Sequence, residues 1–281
     1  MYKYTRNYYG PVRACVFDWS GTLIDKWSLA PVNSLIDTFK EIGITATPEE
    51  IRDSMGIRKD QHIKEILKLP NIRPQWLKYS KDKEPTQDDY DILMELYKRK
   101  QLESISDYTE LIPSVKTTIS KIRGKHRIKI AGTTGFTKAI SDVIIKDVKK
   151  QGLFMDAFVS GDEVYNGSRP NPFMLYKCLE LLNIPEMKSV VKFDDTVSGI
   201  EEGLNAGCWT VGITKWSNYM NVNTSEDEKN LLNNTKEFFD KIDECNKKFS
   251  NAGAHYVVDN FYEITAVIKD INKKLSLGIK P

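Results

Sequence analysis

Asp18 follows a short apolar run, Ala14–Phe17, and opens a glycine-containing turn at residues 19–22. A buried strand that ends in a carboxylate and a tight turn is typical of an aspartate nucleophile at the carboxyl edge of a parallel sheet. A phosphate-ester hydrolase built this way needs a second carboxylate two residues later, to protonate the leaving oxygen. This chain has Ser20 at that position. Either the activity is lost, or another residue activates the leaving group.

Three later segments have residue types that suit a phosphoryl group. Thr134 and Gly135 end a predicted strand in a turn whose hydroxyl and N–H groups suit phosphoryl oxygens, although such turns also cap helices. Arg169, in a proline-containing loop, suits a fixed counter-charge to phosphate, and a surface arginine is the alternative. Asp194 and Asp195 follow another buried strand and suit Mg²⁺, with a helix N-cap as the alternative. Their joint occurrence at strand ends is more specific than any single member.

A further candidate group lies between the first and second predicted strands. Met55, Lys59 and His62 are spaced i, i+4 and i+7, which puts them on one face of a helix. A lysine that faces a cleft with a partly apolar wall has a lowered pKa and becomes a nucleophilic amine. Taken alone, Lys59 would be a solvated surface lysine, since the chain has 41 basic residues.

The elements that must position these residues alternate in type along the chain. Apolar runs predict strands at Ala14–Phe17, Ile128–Ala131, Ala157–Val159, Val190–Phe193, Trp209–Gly212 and Ala254–Val258. Helical patterns fall at Ile140–Lys150, Pro172–Leu182, Gly199–Ala206 and Phe261–Leu275, and an exposed loop that enters another helix is predicted from Ser217 to Thr235. This alternation predicts an α/β fold with a doubly wound parallel sheet.

The stretch from Pro31 to Pro113 breaks the alternation, because it has helical patterns and no convincing strand. The predicted helices are Val32–Ile42, Pro48–Met55, Lys59–Leu69 and Gln87–Arg99. An all-helical insertion after the nucleophile turn predicts a cap over the active edge of the sheet, whose closure excludes water. We therefore predict a catalytic core of residues 1–30 and 111–281 and a helical cap domain of residues 31–110.

Composition favours a soluble globular enzyme in the cytoplasm. Forty-one basic and 39 acidic residues give a near-neutral chain, which does not support nucleic acid or a membrane as the main partner. No apolar stretch approaches the roughly 20 residues that span a bilayer, and Met1–Gly10 lacks the apolar core of a signal peptide. The four cysteines show no zinc-like spacing. Cys15, within an apolar strand, is predicted to be a buried free thiol.

Together, residues 18–22, 133–137, 169–170 and 194–198 resemble the haloacid dehalogenase superfamily of aspartate-nucleophile phosphotransferases, whose core is a Rossmann-like sheet. Residues 55–62, MGIRKDQH, resemble the cap motif M-G-x-x-K-x-x-H of the phosphonoacetaldehyde hydrolase (phosphonatase) family. The likeness runs from about Val12 to Pro281.

The resemblance implies hydrolysis of the C–P bond of phosphonoacetaldehyde to acetaldehyde and phosphate. In that family a cap lysine forms an imine with the aldehyde, which implies that Lys59 forms the Schiff base, Asp18 attacks phosphorus and His62 assists proton transfer. The resemblance also implies a homodimer formed through the caps. The implied ligands are Asp18, the Ser20 carbonyl and Asp195, beside Asp194, for Mg²⁺, and Thr134, Gly135, Arg169, Met55 and Ser20 for the substrate.

This chain departs from the family pattern at several positions. Ser20 replaces the usual alanine, Phe136 replaces a tyrosine, Asp194 replaces a glycine, and Gly199 stands where the family has an acid. An enamine leaving group made tolerable by Lys59 needs no acid at position 20. Two alternatives stay open: a phosphate-ester hydrolase or phosphomutase of the same superfamily, and a non-catalytic binding protein on this scaffold.

Overall fold

A parallel six-stranded sheet forms the centre of the molecule, with strand order β3-β2-β1-β4-β5-β6. The computed structural model describes residues 7–281. Residues 1–6, which start the polar N-terminal stretch and the predicted core, lie outside the described residues. The strands are β1 (Ala14–Phe17), β2 (Lys129–Thr134), β3 (Ala157–Ser160), β4 (Val190–Asp194), β5 (Trp209–Ile213) and β6 (Tyr256–Val258).

The middle position of β1 explains its uninterrupted apolar sequence, since a central parallel strand is covered on both faces. Cys15 and Phe17 pack into the larger core, and Ala14 and Val16 pack into a smaller one on the other face. Phe17 pairs with Gly132 of β2 and with Phe193 of β4. This register brings the residues that follow the three strands to one edge of the sheet, as predicted for a doubly wound fold.

Helices fill both the sheet connections and the insertion between β1 and β2. Those of the insertion are α1 (Leu29–Glu41), α2 (Pro48–Asp53), α3 (Lys59–Ile66), α4 (Ile72–Ser80) and α5 (Gln87–Ser104). The others are α6 (Val115–His126), α7 (Lys138–Lys150), α8 (Phe173–Leu182), α9 (Val197–Ala206), α10 (Ser225–Asn233), α11 (Thr235–Asn251) and α12 (Ile264–Ser276).

The insertion leaves and rejoins the core at one place. Ile24 forms an antiparallel bridge with Leu111, and the backbone N–H of Ile112 donates to the Leu23 carbonyl at 2.9 Å. Within the insertion α5 packs against α1 and α3. Apart from the first two residues of α1, these helices lie in the segment proposed as the cap, residues 31–110.

The exposed loop predicted from Ser217 to Thr235 is wrong in two respects, because α10 is helical and because Ser217, Asn218, Met220 and Val222 are buried. Thr224 and Asp227 form a capping box that starts this helix, and Leu231 is buried on its inner side. The helices α4 and α6 are not predicted from the sequence pattern either. Only two side chains of α4 are buried, Ile72 and Trp76, so its apolar periodicity is weak.

The four cysteines are free and buried, which confirms the prediction for Cys15. Within residues 7–281, no helix combines the length and the apolar character needed to cross a membrane.

Candidate active site

Asp18 lies directly after β1 and is held by a buried arginine. The Nη2 group of Arg169 donates to Asp18 Oδ1 at 2.6 Å and to the Thr133 carbonyl at 2.9 Å. Its Nε donates to Glu202 Oε2 at 3.1 Å. Because Arg169 is only 4% exposed, the surface-arginine alternative is wrong. A guanidinium fixed on both sides offers a directed counter-charge for an oxyanion next to Asp18.

Three buried carboxylates converge beneath the end of β1. Asp18, Asp194 and Asp195 each offer an oxygen atom, and these atoms lie within 4.8 Å of one another. Asp195 accepts hydrogen bonds from Thr22 Oγ1 at 3.3 Å and from the backbone N–H of Asn218 at 2.9 Å, but it forms no ion pair with any described residue. Burial, together with the charges of Asp18 and Asp194, raises the pKa of Asp195 well above its usual range. A hard divalent cation fits this donor set and would relieve the repulsion.

The helix-cap alternative for the two acids is wrong, because Thr196 is the N-cap of α9. Its Oγ1 accepts from the Gly199 N–H at 3.2 Å and donates to Asp194 Oδ1 at 2.7 Å. A Cβ atom at Gly199 would lie 1.9 Å from Asp194 Cγ. The acid gained at 194 therefore fills the space that a side chain at 199 would need, which accounts for both departures at once.

Two buried charged residues behind Arg169 were missed by the sequence analysis. The Nζ group of Lys192, in β4, lies 2.7 Å from Thr133 Oγ1, 3.0 Å from Asp194 Oδ2 and 3.2 Å from Glu202 Oε2. Lys192 and Glu202 are fully buried. A lysine inside an otherwise apolar strand was the available signal, since lysine is almost never buried without a partner.

The three residues predicted to share a helical face lie together, but that prediction is wrong for Met55, which lies in the turn between the end of α2 at Asp53 and the start of α3 at Lys59. Lys59 Nζ lies 3.5 Å from Met55 Sδ and 3.4 Å from His62 Nδ1. Lys59 is only 3% exposed, which excludes the solvated surface lysine. Burial lowers the pKa of Lys59 to about 8, against the opposing effect of the Asp18 carboxylate.

His62 is a neutral acceptor facing Lys59. Its Nε2 donates to the Ile51 carbonyl at 2.7 Å, so Nδ1 carries the lone pair that faces the amine. Burial and the neighbouring Lys59 charge lower the pKa of His62 well below 6.5.

Core and insertion together line a small cleft with about 330 Å³ of empty space. His62 lies behind Lys59, and Asp194 and Asp195 lie beneath Asp18. Among the residues lining this cleft, Asp18 is the single carboxylate. The lining residues are Asp18, Ser20, Ser28, Pro31, Met55, Gly56, Lys59, Thr134, Gly135, Phe136, Arg169 and Thr196.

Two glycines permit the close approaches that shape the cleft. Gly21 has φ +78°, and a Cβ there would lie 2.2 Å from Asp195 Oδ2. Gly56 has φ +97°, and a Cβ there would lie 2.3 Å from Ser198 Oγ and 2.7 Å from Thr196 Oγ1. A side chain at either position would meet both backbone strain and a collision.

Comparison with known proteins agrees with this geometry. The family model for haloacid dehalogenase-like hydrolases matches residues 15–213. The chain is 35% identical to the phosphonoacetaldehyde hydrolase of Paraburkholderia xenovorans, over 96% of this chain and 99% of that protein. It is 37% identical to the bifunctional phosphonoacetaldehyde hydrolase/aminoethylphosphonate transaminase of Clostridioides difficile, over 94% of this chain and 40% of that protein. A crystal structure of a phosphonoacetaldehyde hydrolase-like protein from Oleispira antarctica superposes with a TM-score of 0.94, at 34% identity and full coverage of both chains.

Proposed function

Because this chain belongs to the phosphonoacetaldehyde hydrolase family of the haloacid dehalogenase-like hydrolases, we propose that it hydrolyses the C–P bond of phosphonoacetaldehyde to acetaldehyde and phosphate. The observation that carries this proposal is the buried amine of Lys59 in the same cleft as Asp18, which among residues 7–281 is the only carboxylate lining it. A leaving carbon needs an electron sink, and a protonated imine on Lys59 supplies one.

In the first step, Lys59 condenses with the aldehyde and releases one water as the imine forms. The neutral amine is the nucleophile, and a pKa of about 8 leaves roughly a tenth of Lys59 in that form near pH 7. The Nδ1 atom of His62, 3.4 Å from Lys59 Nζ, accepts a hydrogen bond from the amine and assists proton transfer there.

In the second step, Asp18 attacks phosphorus in line and forms an aspartyl phosphate. The P–C bond breaks, its electron pair forms the C=C bond of an enamine, and the C=N π pair of the protonated imine moves onto nitrogen. Arg169, Thr134 and Gly135 bind the phosphoryl oxygens, with Met55 and Ser20 against the rest of the substrate. Support for this arrangement comes from the 2.6 Å contact between Arg169 and Asp18 and from the Thr134 hydroxyl, which accepts from the Phe136 N–H and can donate to a ligand.

Hydrolysis completes the cycle. Water attacks the aspartyl phosphate and releases phosphate, which regenerates Asp18. The enamine takes up a proton at carbon, and hydrolysis of the resulting imine releases acetaldehyde and frees Lys59.

We propose Mg²⁺ as the metal, held by Asp18, Asp195 and the backbone carbonyl of Ser20, with Asp194 adding negative charge beside them. When bound, Mg²⁺ offsets the charge that develops on the phosphoryl oxygens. The Asp195 carboxylate, buried without an ion pair among the described residues, supports this assignment.

We propose a cytoplasmic enzyme that acts on a small phosphonate and not on nucleic acid or a membrane surface, and that forms a homodimer through its caps. A net charge of +2 and a small cleft support the choice of substrate class.

Borohydride trapping tests the proposal. Phosphonoacetaldehyde plus borohydride should inactivate the enzyme and leave a reduced adduct on Lys59, located by mass spectrometry of peptides. Lys64, on the same helix α3, provides the matched control: Lys64→Ala should be trapped as the wild type is, and Lys59→Ala should not. An adduct on another lysine contradicts the proposal. Brisk turnover of p-nitrophenyl phosphate that survives Lys59→Ala would instead favour a phosphate-ester hydrolase.

A further inference from the structure

Arg52, in α2 of the insertion, is a buried cation held entirely by the core. It is 5% exposed, forms no ion pair with any residue that the structure describes, and lies seven positions before Lys59. Burial lowers its pKa to about 10. Its guanidinium donates to neutral oxygens only: Trp27 O at 2.7 Å, Asn218 O at 3.2 Å and Oδ1 at 2.9 Å, Val222 O at 2.7 Å and Asn223 Oδ1 at 2.9 Å.

One of these partners also binds the acidic cluster. Asn218 returns a hydrogen bond from its Nδ2 to the Arg52 carbonyl at 3.2 Å, and its backbone N–H donates to Asp195 Oδ2 at 2.9 Å. The neighbouring Ser217 hydroxyl donates to the Asp195 carbonyl at 2.7 Å. The segment after β5 is therefore clamped between Arg52 on one side and Asp195 on the other.

The second segment that Arg52 holds, where the chain enters the insertion, leads to the same carboxylate. Asp25, Trp27 and Ser28 have φ of 52°, 67° and 54°, in the left-handed region that is costly for residues with side chains. Such a conformation persists only where its surroundings fix it. Arg52 binds the Trp27 carbonyl, and Ser28 Oγ lies 3.4 Å from Asp195 Oδ2.

We infer that Arg52 is a positioning residue that couples seating of the insertion on the core to the cation site. When α2 is seated, Arg52 fixes Asn218 and the segment at residues 25–28, and these two in turn orient Asp195. If α2 lifts, both supports of the carboxylate lose their anchor. The inference rests on the proposed function only in taking Asp195 as a Mg²⁺ ligand.

The coupling between seating of the insertion and Mg²⁺ binding is reciprocal. If seating of the insertion strengthens Mg²⁺ binding by some factor, Mg²⁺ must favour the seated insertion by the same factor. Mg²⁺ should therefore slow proteolysis of the insertion in the wild type, and this protection should be lost when Arg52 is replaced.

The test compares Arg52→Gln, Arg52→Lys and Asn218→Ala with Arg99→Gln, whose arginine pairs with Glu41 inside the insertion. Calorimetric titration with Mg²⁺ in the absence of substrate should show affinity reduced about five- to tenfold in Arg52→Gln and unchanged in Arg99→Gln. Arg52→Lys should fall between them, because lysine keeps the charge and loses the planar fork.

A structural role alone predicts a different outcome. Arg52→Gln would then lower the midpoint of thermal unfolding in chelator, with Mg²⁺ affinity and Mg²⁺-dependent protection from proteolysis both as in the wild type, and that result overturns the inference. If Arg52→Gln does not fold, Asn218→Ala is compared with Arg99→Gln in the same measurements of Mg²⁺ affinity and proteolysis. Because these measurements use neither the phosphonate nor Lys59, failure of the imine trapping would leave them unaffected.

Discussion

Lys59 combines burial with reactivity, since the environment that removes it from water also makes its neutral amine accessible near neutral pH. Only the neutral form attacks an aldehyde. The rate of borohydride-dependent inactivation should therefore rise with pH and level off above about 8, the pKa that burial gives Lys59. Measuring this rate across pH checks the assignment. A midpoint near 10.5, the ordinary lysine value, would mean that the reacting amine is solvated.

The same burial should lower the stability of the folded chain. Folding lowers the pKa of Lys59 from 10.5 to about 8, so the unfolded chain binds more protons between those values and stability rises with pH across that window. Lys59→Met should raise the free energy of unfolding by about 1–3 kcal/mol near pH 7 and by less near pH 10. Urea denaturation at both pH values measures this, and an equal gain at both would contradict the explanation.

Asp18→Asn should separate the two halves of the reaction. The amide keeps the shape of the side chain but is not a nucleophile, so phosphate release should fall by at least about 10³-fold. Imine formation does not use the carboxylate as a nucleophile, so the Lys59 adduct should still form with borohydride. Phosphate assays and peptide mass spectrometry on one preparation give both readings. Retained phosphate release would remove Asp18 from the proposed role.

Among the secondary-structure elements, those with an uninterrupted apolar run or a clear apolar periodicity could be predicted from the sequence, as for β1 and α12. Ala14–Phe17 was predicted with the bounds that β1 has, because a central parallel strand leaves an uninterrupted apolar run. The helix α10 could not be predicted from an apolar periodicity, because Leu231 is the single residue of this helix that is buried.

The residues of the candidate site also divide into those that the sequence indicates and those that only the fold reveals. Asp18, Lys59 and Arg169 belong to local motifs and could be found from the sequence. Arg52 could not, because its partners are oxygens of distant core segments that only the tertiary fold brings together. From the sequence, a charged side chain in a polar segment is predicted to be exposed, because its hydrogen-bond acceptors are known only from the tertiary structure.

The contact between the insertion and the first turn of α9 should be sensitive to one methyl group. Gly56→Ala adds a Cβ where Ser198 Oγ would lie 2.3 Å away, so α3 should not seat and kcat/KM should fall by about 10²-fold. Gly43→Ala is the matched control, since Gly43 also has positive φ, +76°, but has no atom within 4 Å of its added Cβ. Both variants should lose similar stability, and only Gly56→Ala should lose activity. Equal activity of the two would contradict a role for the close approach.

At the scale of the whole molecule, the proposed dimer has a candidate surface on the outside of the insertion. Ile42, Ile92 and Leu96 line a groove there, flanked by charged residues, and Ile92 is 62% exposed. Ile92→Glu should shift the protein from dimer to monomer in sedimentation velocity. Phe154 lies outside the insertion, in the predicted catalytic core domain, and its side chain is 54% exposed; Phe154→Glu should leave the dimer intact. A wild-type monomer at micromolar concentration would refute the proposal.

The bridge between Ile24 and Leu111 has a consequence for how such an enzyme can arise. Because the chain leaves the sheet and returns to it at neighbouring points, the helices between these points can be replaced without changing the order or the connections of the strands. The carboxylate that attacks phosphorus belongs to the sheet, and the amine proposed to activate the leaving carbon belongs to the replaceable part. On the proposed assignment, exchanging the insertion can change the class of leaving group while the phosphoryl chemistry of the sheet stays the same.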